Sequence, residues 1–255
     1  MPTKKTSYPF RTRFSHGIIA EVLIPKKQTG KVAIVCSGLP SVPSKRGALQ
    51  FLVDHGYVVI FPRYRGTWES EGYFLERSPA RDISNVIHDL TRKKNIHDLA
   101  TGKRIPVRVS AIHLFGSSFG GPAILLNSHW PIVKKIIALA PVIDWSKDGR
   151  DDPFNVFVRF TQEGFGNAYR TRHKNDWQKL VTTDFYNPIA QTKDIKGKKI
   201  FIIHAKDDSI VPHEPLLSFV EKTGAGYYLK PKGGHHLNMT HAFFWKKIQT
   251  FLDNK

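Results

Sequence analysis

The sequence predicts an α/β fold: a doubly wound, mainly parallel β-sheet flanked by helices. Two patterns predict it. Short, β-branched apolar runs recur along the chain as buried strands do, and segments with apolar residues at helical spacing lie between them. The alternation breaks once, over residues 145–196. That stretch reads as an insertion within one such unit, a cap or lid, so residues 1–255 are expected to form a single domain.

The elements follow in order. Residues 18–24 are a β-branched run closed by Pro25. The run KVAIVC at 31–36 is a buried-type strand, followed by the loop SGLPSVPS. Over residues 45–55, Ala48, Leu49, Leu52 and Val53 share a helical face, and Gly56 ends that helix as glycine does just past a C-terminus. Residues 57–61 form the next strand. Ile83, Val86, Ile87 and Leu90 mark a helix over 80–99. A strand at 109–115, a helix at 119–128 and a strand at 135–140 complete the first half. After the break come a strand at 199–204, a helix at 213–222, a strand at 225–230 and a helix at 239–252.

Composition narrows the class. With 40% hydrophobic residues in 255, the chain can bury a sizeable core. A single cysteine, Cys36, excludes an intrachain disulfide and points to a reducing compartment. The N-terminus has basic residues but no apolar stretch behind them, so it does not read as a secretory signal. The longest apolar runs have the length of buried strands, not membrane spans. A cytoplasmic protein with no transmembrane segment is expected. Lys plus Arg is 39 against 21 Asp plus Glu, a formal charge of +18. The basic residues are spread out; the densest spots are Lys4-Lys5, Arg92-Lys93-Lys94, residues 196–199 and Lys246-Lys247. Such spacing reads as solvated faces, and without RNP-type or zinc-finger signatures no specific nucleic-acid partner is expected. The sequence is silent on oligomeric state.

The segment VSAIHLFGSSFGGPAILLN carries the chemistry. Gly116-Ser117-Ser118-Phe119-Gly120 is a G-x-S-x-G pattern between an apolar strand and a helix-like run. A strand that turns this sharply into a helix needs small residues two before and two after the turned residue, and it presents that residue's side chain at the sheet edge. The spacing selects Ser118 as nucleophile over Ser117. A serine hydroxyl needs a histidine to take its proton and an acid to orient the imidazole. Later strand-end loops supply both: Asp207-Asp208 after KIFIIHA, and His235-His236 after GYYLKP and a Gly-Gly pair. Cys36 has no basic partner evident and reads as packing. No histidine spacing matches a metal site, and His236 and His241 lack the glutamate of H-E-x-x-H, so no metal and no cofactor is expected.

These blocks resemble the α/β-hydrolase superfamily from about residue 17 to 252, closest to the small single-domain esterases and the prolyl-oligopeptidase-like hydrolases. They are the S-G-x-P loop at 37–40, Tyr64-Arg65-Gly66 with Ser70-Glu71-Gly72, the G-x-S-x-G-G elbow, and D-x-x-V-P with G-G-H. The resemblance implies a catalytic triad of Ser118, Asp208 and His235, with Asp207 and His236 as the alternatives. It implies an oxyanion hole from the amides of Phe119 and Leu39. Where many relatives have His-Gly, this chain has Ser37-Gly38. It further implies that residues 145–196 cover the nucleophile. Their dense aromatics, Phe154, Phe157, Phe160, Phe165, Tyr169, Trp177, Phe185 and Tyr186, suit an acyl or aryl pocket or else a small core of their own. Arg63, Tyr64, Arg65 and Trp68 are expected near the site. The function implied is hydrolysis of a small-molecule carboxylic ester, with a small peptidase and a non-catalytic basic binding protein as the alternatives.

Overall fold

The computed structural model describes residues 8–254, so the basic pair Lys4-Lys5 lies outside the described residues. Eight strands form one sheet: β1 (Phe10–Phe14), β2 (Ile18–Leu23), β3 (Lys31–Cys36), β4 (Val58–Pro62), β7 (Ala111–Ser117), β8 (Val133–Leu139), β9 (Ile200–Ala205) and β10 (Gly226–Lys230). Their order is β1-β2-β4-β3-β7-β8-β9-β10. From β4 to β10 every pair is parallel; β2 joins β4, and β1 joins β2, antiparallel. Helices α1 (Arg46–Asp54), α2 (Pro79–Arg92), α3 (Gly120–Leu125), α6 (Glu214–Thr223) and α7 (Ala242–Asp253) connect or follow the strands.

The core lies on both faces of the sheet, as a parallel sheet requires. On one face Ile34, Ile60, Leu114 and Ile136 pack under α2 and α3. On the other, Ala33, Val59, Phe115 and Ile137 pack under α1 and α7. The alternation along β3 and β7, residue by residue, is the period-2 side-chain geometry of a strand.

Two segments depart from the sequence reading. Residues 10–14 form an edge strand: Thr12 and Phe14 turn inward while Arg11 and Arg13 face out. Arg11 pairs with Glu21 at 2.7 Å and Arg13 with Glu71 at 2.5 Å. The helix expected over 80–99 stops at Arg92, where Lys93 turns extended (φ −98°, ψ 122°). A two-stranded ribbon follows, β5 (Asn95–His97) with β6 (Arg104–Pro106). Its turn is built by Asp98, which accepts hydrogen bonds from the Ala100 amide and the Thr101 hydroxyl, and by Gly102 at φ +69°.

Residues 145–196 lie between β8 and β9. They contain α4 (Phe154–Phe165), the short α5 (Lys179–Thr182) and several 3-10 turns. Among the described residues no helix is long and apolar enough to cross a membrane.

Candidate active site

Ser118 stands between the end of β7 and the start of α3 with φ +50°, in the left-handed region that costs a non-glycine residue energy. Its neighbours make that turn feasible. A Cβ at Gly116 would lie 2.7 Å from the Gly120 carbonyl oxygen, one at Gly120 2.3 Å from the Cys36 carbonyl oxygen, and one at Gly121 2.3 Å from Pro141 Cβ. The three glycines therefore let the turn close against β3 and the chain after β8. The Ser118 amide donates to the Leu139 carbonyl at 3.1 Å, and its own carbonyl accepts from the Gly121 and Val142 amides. The residue is fixed from both sides.

Asp208 and His235 are brought together. His235 Nδ1 lies 2.8 Å from Asp208 Oδ2. The other oxygen, Oδ1, accepts from the amides of Ile210 (3.0 Å) and Val211 (2.9 Å). Burial works to raise the Asp208 carboxyl. Hydrogen bonds from His204, His235 and the Val211 amide outweigh it and hold the group well below the usual carboxylate range. An ionised Asp208 only accepts, so His235 Nδ1 carries the proton and Nε2 keeps its lone pair. His236 is exposed and its ring lies edge-on at 5.5 Å from His235, which is the histidine bonded to the acid. Asp207 is exposed too, and its Oδ1 accepts from the Gly233 and Gly234 amides at 2.8 Å each. Thus one aspartate holds the histidine ring and its neighbour holds the loop that carries the histidine.

Ser118 and His235 line the same cavity of about 850 Å³, together with Leu39 and Phe119. No hydrogen bond joins Ser118 to His235 among the described residues; both face the shared space, an arrangement that commonly tightens only around a substrate. Gly38 sits against the serine, where a Cβ would be 3.1 Å from Ser118 Cβ. The Leu39–Pro40 peptide is cis.

The aromatics of residues 145–196 divide between core and cavity. Trp145, Phe154, Phe157 and Phe160 line the cavity, as do Asp144, Asp148, Asp151 and Asp152. Trp177 and Tyr186 are fully buried, and Tyr186 donates its hydroxyl to the Phe119 carbonyl at 2.8 Å. The Phe119 ring packs on Tyr64, Phe74, Trp145 and Tyr186 at centroid distances of 5.0–5.7 Å. The residue after the nucleophile is thus the pin between the elbow and this segment.

The loop after β4 supports the site from behind. Arg63 and Arg65 are buried, with Arg65 paired to Asp82 at 3.1 Å. Tyr64 donates its hydroxyl to the Ser37 carbonyl at 3.2 Å, and the Trp68 amide bonds the Ala168 carbonyl at 3.0 Å. Cys36 is buried, and burial pushes its thiol far up, so it carries no thiolate. Among the described residues no group of three or more His, Cys, Asp or Glu is arranged to hold a metal ion.

One contact to Asp208 was not anticipated from the sequence. His204, on β9, is wholly buried and lies 3.1 Å from Asp208 Oδ2 and 3.1 Å from the Val211 carbonyl. The only signal for it is a histidine four positions before the acid.

The fold recurs in solved structures. An esterase of Pyrococcus furiosus superposes with a TM-score of 0.69 at 18% identity, covering 96% of this chain and 89% of that one. An alpha/beta hydrolase from Penicillium sp. sh18 gives 0.69 at 16% identity, covering 96% of each. The acylaminoacyl peptidase of Pyrococcus horikoshii gives 0.65 at 19% identity; 98% of this chain is covered, but only 41% of the peptidase. A comparison with curated proteins finds no match. The model of the prolyl oligopeptidase family matches residues 43–241, which takes in the elbow, both aspartates and His235. With that match spanning most of its length, on the parallel sheet and serine elbow described above, the chain belongs to the prolyl oligopeptidase family, serine hydrolases of the α/β-hydrolase superfamily.

Proposed function

We propose that the protein hydrolyses carboxylic esters of small to medium acyl or aryl substrates through an acyl-enzyme. The observation that carries this reading is the 2.8 Å bond between His235 Nδ1 and Asp208 Oδ2, on the wall of the cavity that Ser118 lines at its φ +50° turn. His235 Nε2 takes the Ser118 Oγ proton as Oγ attacks the ester carbonyl carbon. The tetrahedral oxyanion is held by the amides of Phe119 and Leu39. The intermediate collapses, the C–O bond to the alcohol breaks, and His235 returns the proton to the leaving oxygen. Water, deprotonated by His235, then attacks the Ser118 ester and frees the acid. Residues 145–196 act as the cap, with Trp145, Phe154 and Phe157 as the apolar side of the acyl pocket.

A peptidase is the second reading. The family match favours it, and so do the carboxylates of Asp144, Asp148, Asp151 and Asp152 on the cavity wall, which suit a protonated amine in a chain otherwise strongly basic. The test is labelling with a fluorophosphonate probe, mapped by intact mass and peptide mass, on wild type and Ser118→Ala. A single adduct on Ser118, absent from the variant, supports an activated serine. Folded wild type that takes no adduct rejects the mechanism and leaves a non-catalytic binding protein. Hydrolysis of p-nitrophenyl esters of graded length beside aminoacyl anilides then separates esterase from peptidase.

A further inference from the structure

Asp208 Oδ2 is shared by two imidazoles. His235 Nδ1 reaches it at 2.8 Å from the cavity side, and His204 Nε2 at 3.1 Å from the core side. The His204 Nε2 also lies 3.1 Å from the Val211 carbonyl. Both neighbours are acceptors, so Nε2 must carry the hydrogen and splits it between them. The other ring nitrogen, Nδ1, is buried and has no hydrogen-bond partner among the described residues. A hydrogen on Nδ1 would be a buried N–H without an acceptor, so the surroundings select the tautomer that carries its hydrogen on Nε2.

This arrangement has two physical consequences. His204 and the two amides on Oδ1 leave Asp208 no freedom to rotate, and the bond to Val211 ties the same imidazole to the loop that follows the acid. The hydrogen donated to Oδ2 also withdraws charge from the oxygen that His235 uses. A carboxylate stripped of that donor would pull harder on the His235 imidazolium and raise its pKa. Other charged or titratable groups face the cluster: His213, with its ring 6.5 Å from His204; His236, 5.5 Å from His235; and Asp152, which interacts with His235 across the cavity. None of these donates to Oδ2.

We infer that His204 is a positioning residue: through its Nε2–H it fixes the Asp208 carboxylate and tempers that carboxylate's hold on His235. The inference rests on the proposed hydrolase mechanism for its kinetic consequence, but not for its effect on His235 itself.

Three variants test it. Glutamine at 204 carries an N–H at the same distance from the backbone as His Nε2. Asparagine falls one atom short, and phenylalanine keeps the ring without a donor. The His235 titration is followed by NMR in wild type, His204→Gln, His204→Asn and His204→Phe, and the pH profile of kcat/KM for a p-nitrophenyl ester is measured beside it. The expected result is a His235 pKa and an acid limb raised by about half a pH unit or more in the Asn and Phe variants. Their kcat should fall about 10- to 100-fold, and Gln should restore both toward wild type. If Phe does not fold, the Gln and Asn pair decides alone. Equal behaviour of Gln and Asn, or a His235 titration unmoved in every variant, overturns the inference. A moved titration in a protein whose wild type takes no fluorophosphonate rejects the hydrolase reading while leaving the positioning role standing.

Discussion

Asp207 is bound to Gly234, 27 positions downstream, by a 2.8 Å hydrogen bond from the Gly234 amide to its Oδ1. The same oxygen accepts from Gly233. Gly234 sits at φ +58°, a conformation glycine adopts freely, and His235 follows directly. The loop that carries the histidine is therefore clamped to the loop that carries the acid by the residue next to the acid. Asp207→Ala should release the clamp, with kcat/KM for esters falling about tenfold, because small misplacements of a catalytic base are costly. Asp207→Asn keeps the acceptor and should retain most of the activity. Steady-state kinetics decide it, and an Ala variant with wild-type rates would show that the loop holds itself.

Asp208→Asn should be far more severe. Asparagine turns an acceptor into a donor on one side, so the His235 tautomer is no longer fixed, and kcat should fall about 10⁴-fold with the fold retained. The same substitution has a stability signature. Asp208 is held below its ordinary value of 3.8, so in the folded state it binds its proton only at lower pH than in the unfolded chain. Its contribution is fully present above that ordinary value and is lost as pH falls below it toward the folded-state pKa. Thermal melts from neutral pH downward should show the wild type losing more stability through this acid window than Asp208→Asn does.

The turn at Ser118 predicts a trade of stability against function. At φ +50° a serine carries strain that glycine does not. Ser118→Ala keeps the strain and Ser118→Gly removes it. Both should be inactive, but the glycine variant should be the more stable by up to about 1 kcal/mol, or roughly 2–4 °C in Tm. Differential scanning calorimetry of the pair is the measurement. A glycine variant that melts below the alanine one would mean that the turn is not under strain.

Much of this was legible in the sequence because parallel strands buried on both faces are near-continuous apolar runs. KVAIVC and IFIIHA can hardly be anything else at that length. The elbow was legible because its glycines fall at fixed spacing around the serine, although the groups they make room for, Gly120 itself, Cys36 and Pro141, are near and far in the chain. What stayed hidden depends on distant partners. Three of the five residues 10–14 are arginine or threonine; they form a strand by pairing along β2, and Glu21, Glu69 and Glu71 meet the arginines. The ribbon at 95–106 is too short and too polar to show a period. His204 stands near the end of an apolar strand run whose sequence carries no sign of its partner Asp208, and Asp207 stands in the sequence as the alternative acid although Gly233 and Gly234 claim its side chain.

A last prediction concerns stability alone and stands whatever the substrate. His113 lies within β7, buried, with its Nδ1 2.8 Å from the Tyr57 hydroxyl. Burial first, and then the positive charges of Lys31 and Lys135, push its pKa down from 6.5 to about 4. Above 6.5 the ring is neutral in both folded and unfolded chains, and below about 4 it is charged in both. Between those values only the unfolded chain binds the proton, so stability falls as pH falls through this window. A shift of that size corresponds to a loss of about 3 kcal/mol by its lower end. His113→Gln cannot take up a proton and should lack this slope, although it will start from a lower stability for want of the ring's packing. Urea denaturation at a series of pH values from 7 to 4 reads both slopes directly. Parallel curves for wild type and His113→Gln would place the acid sensitivity elsewhere, with Asp208 the next group to examine below pH 4.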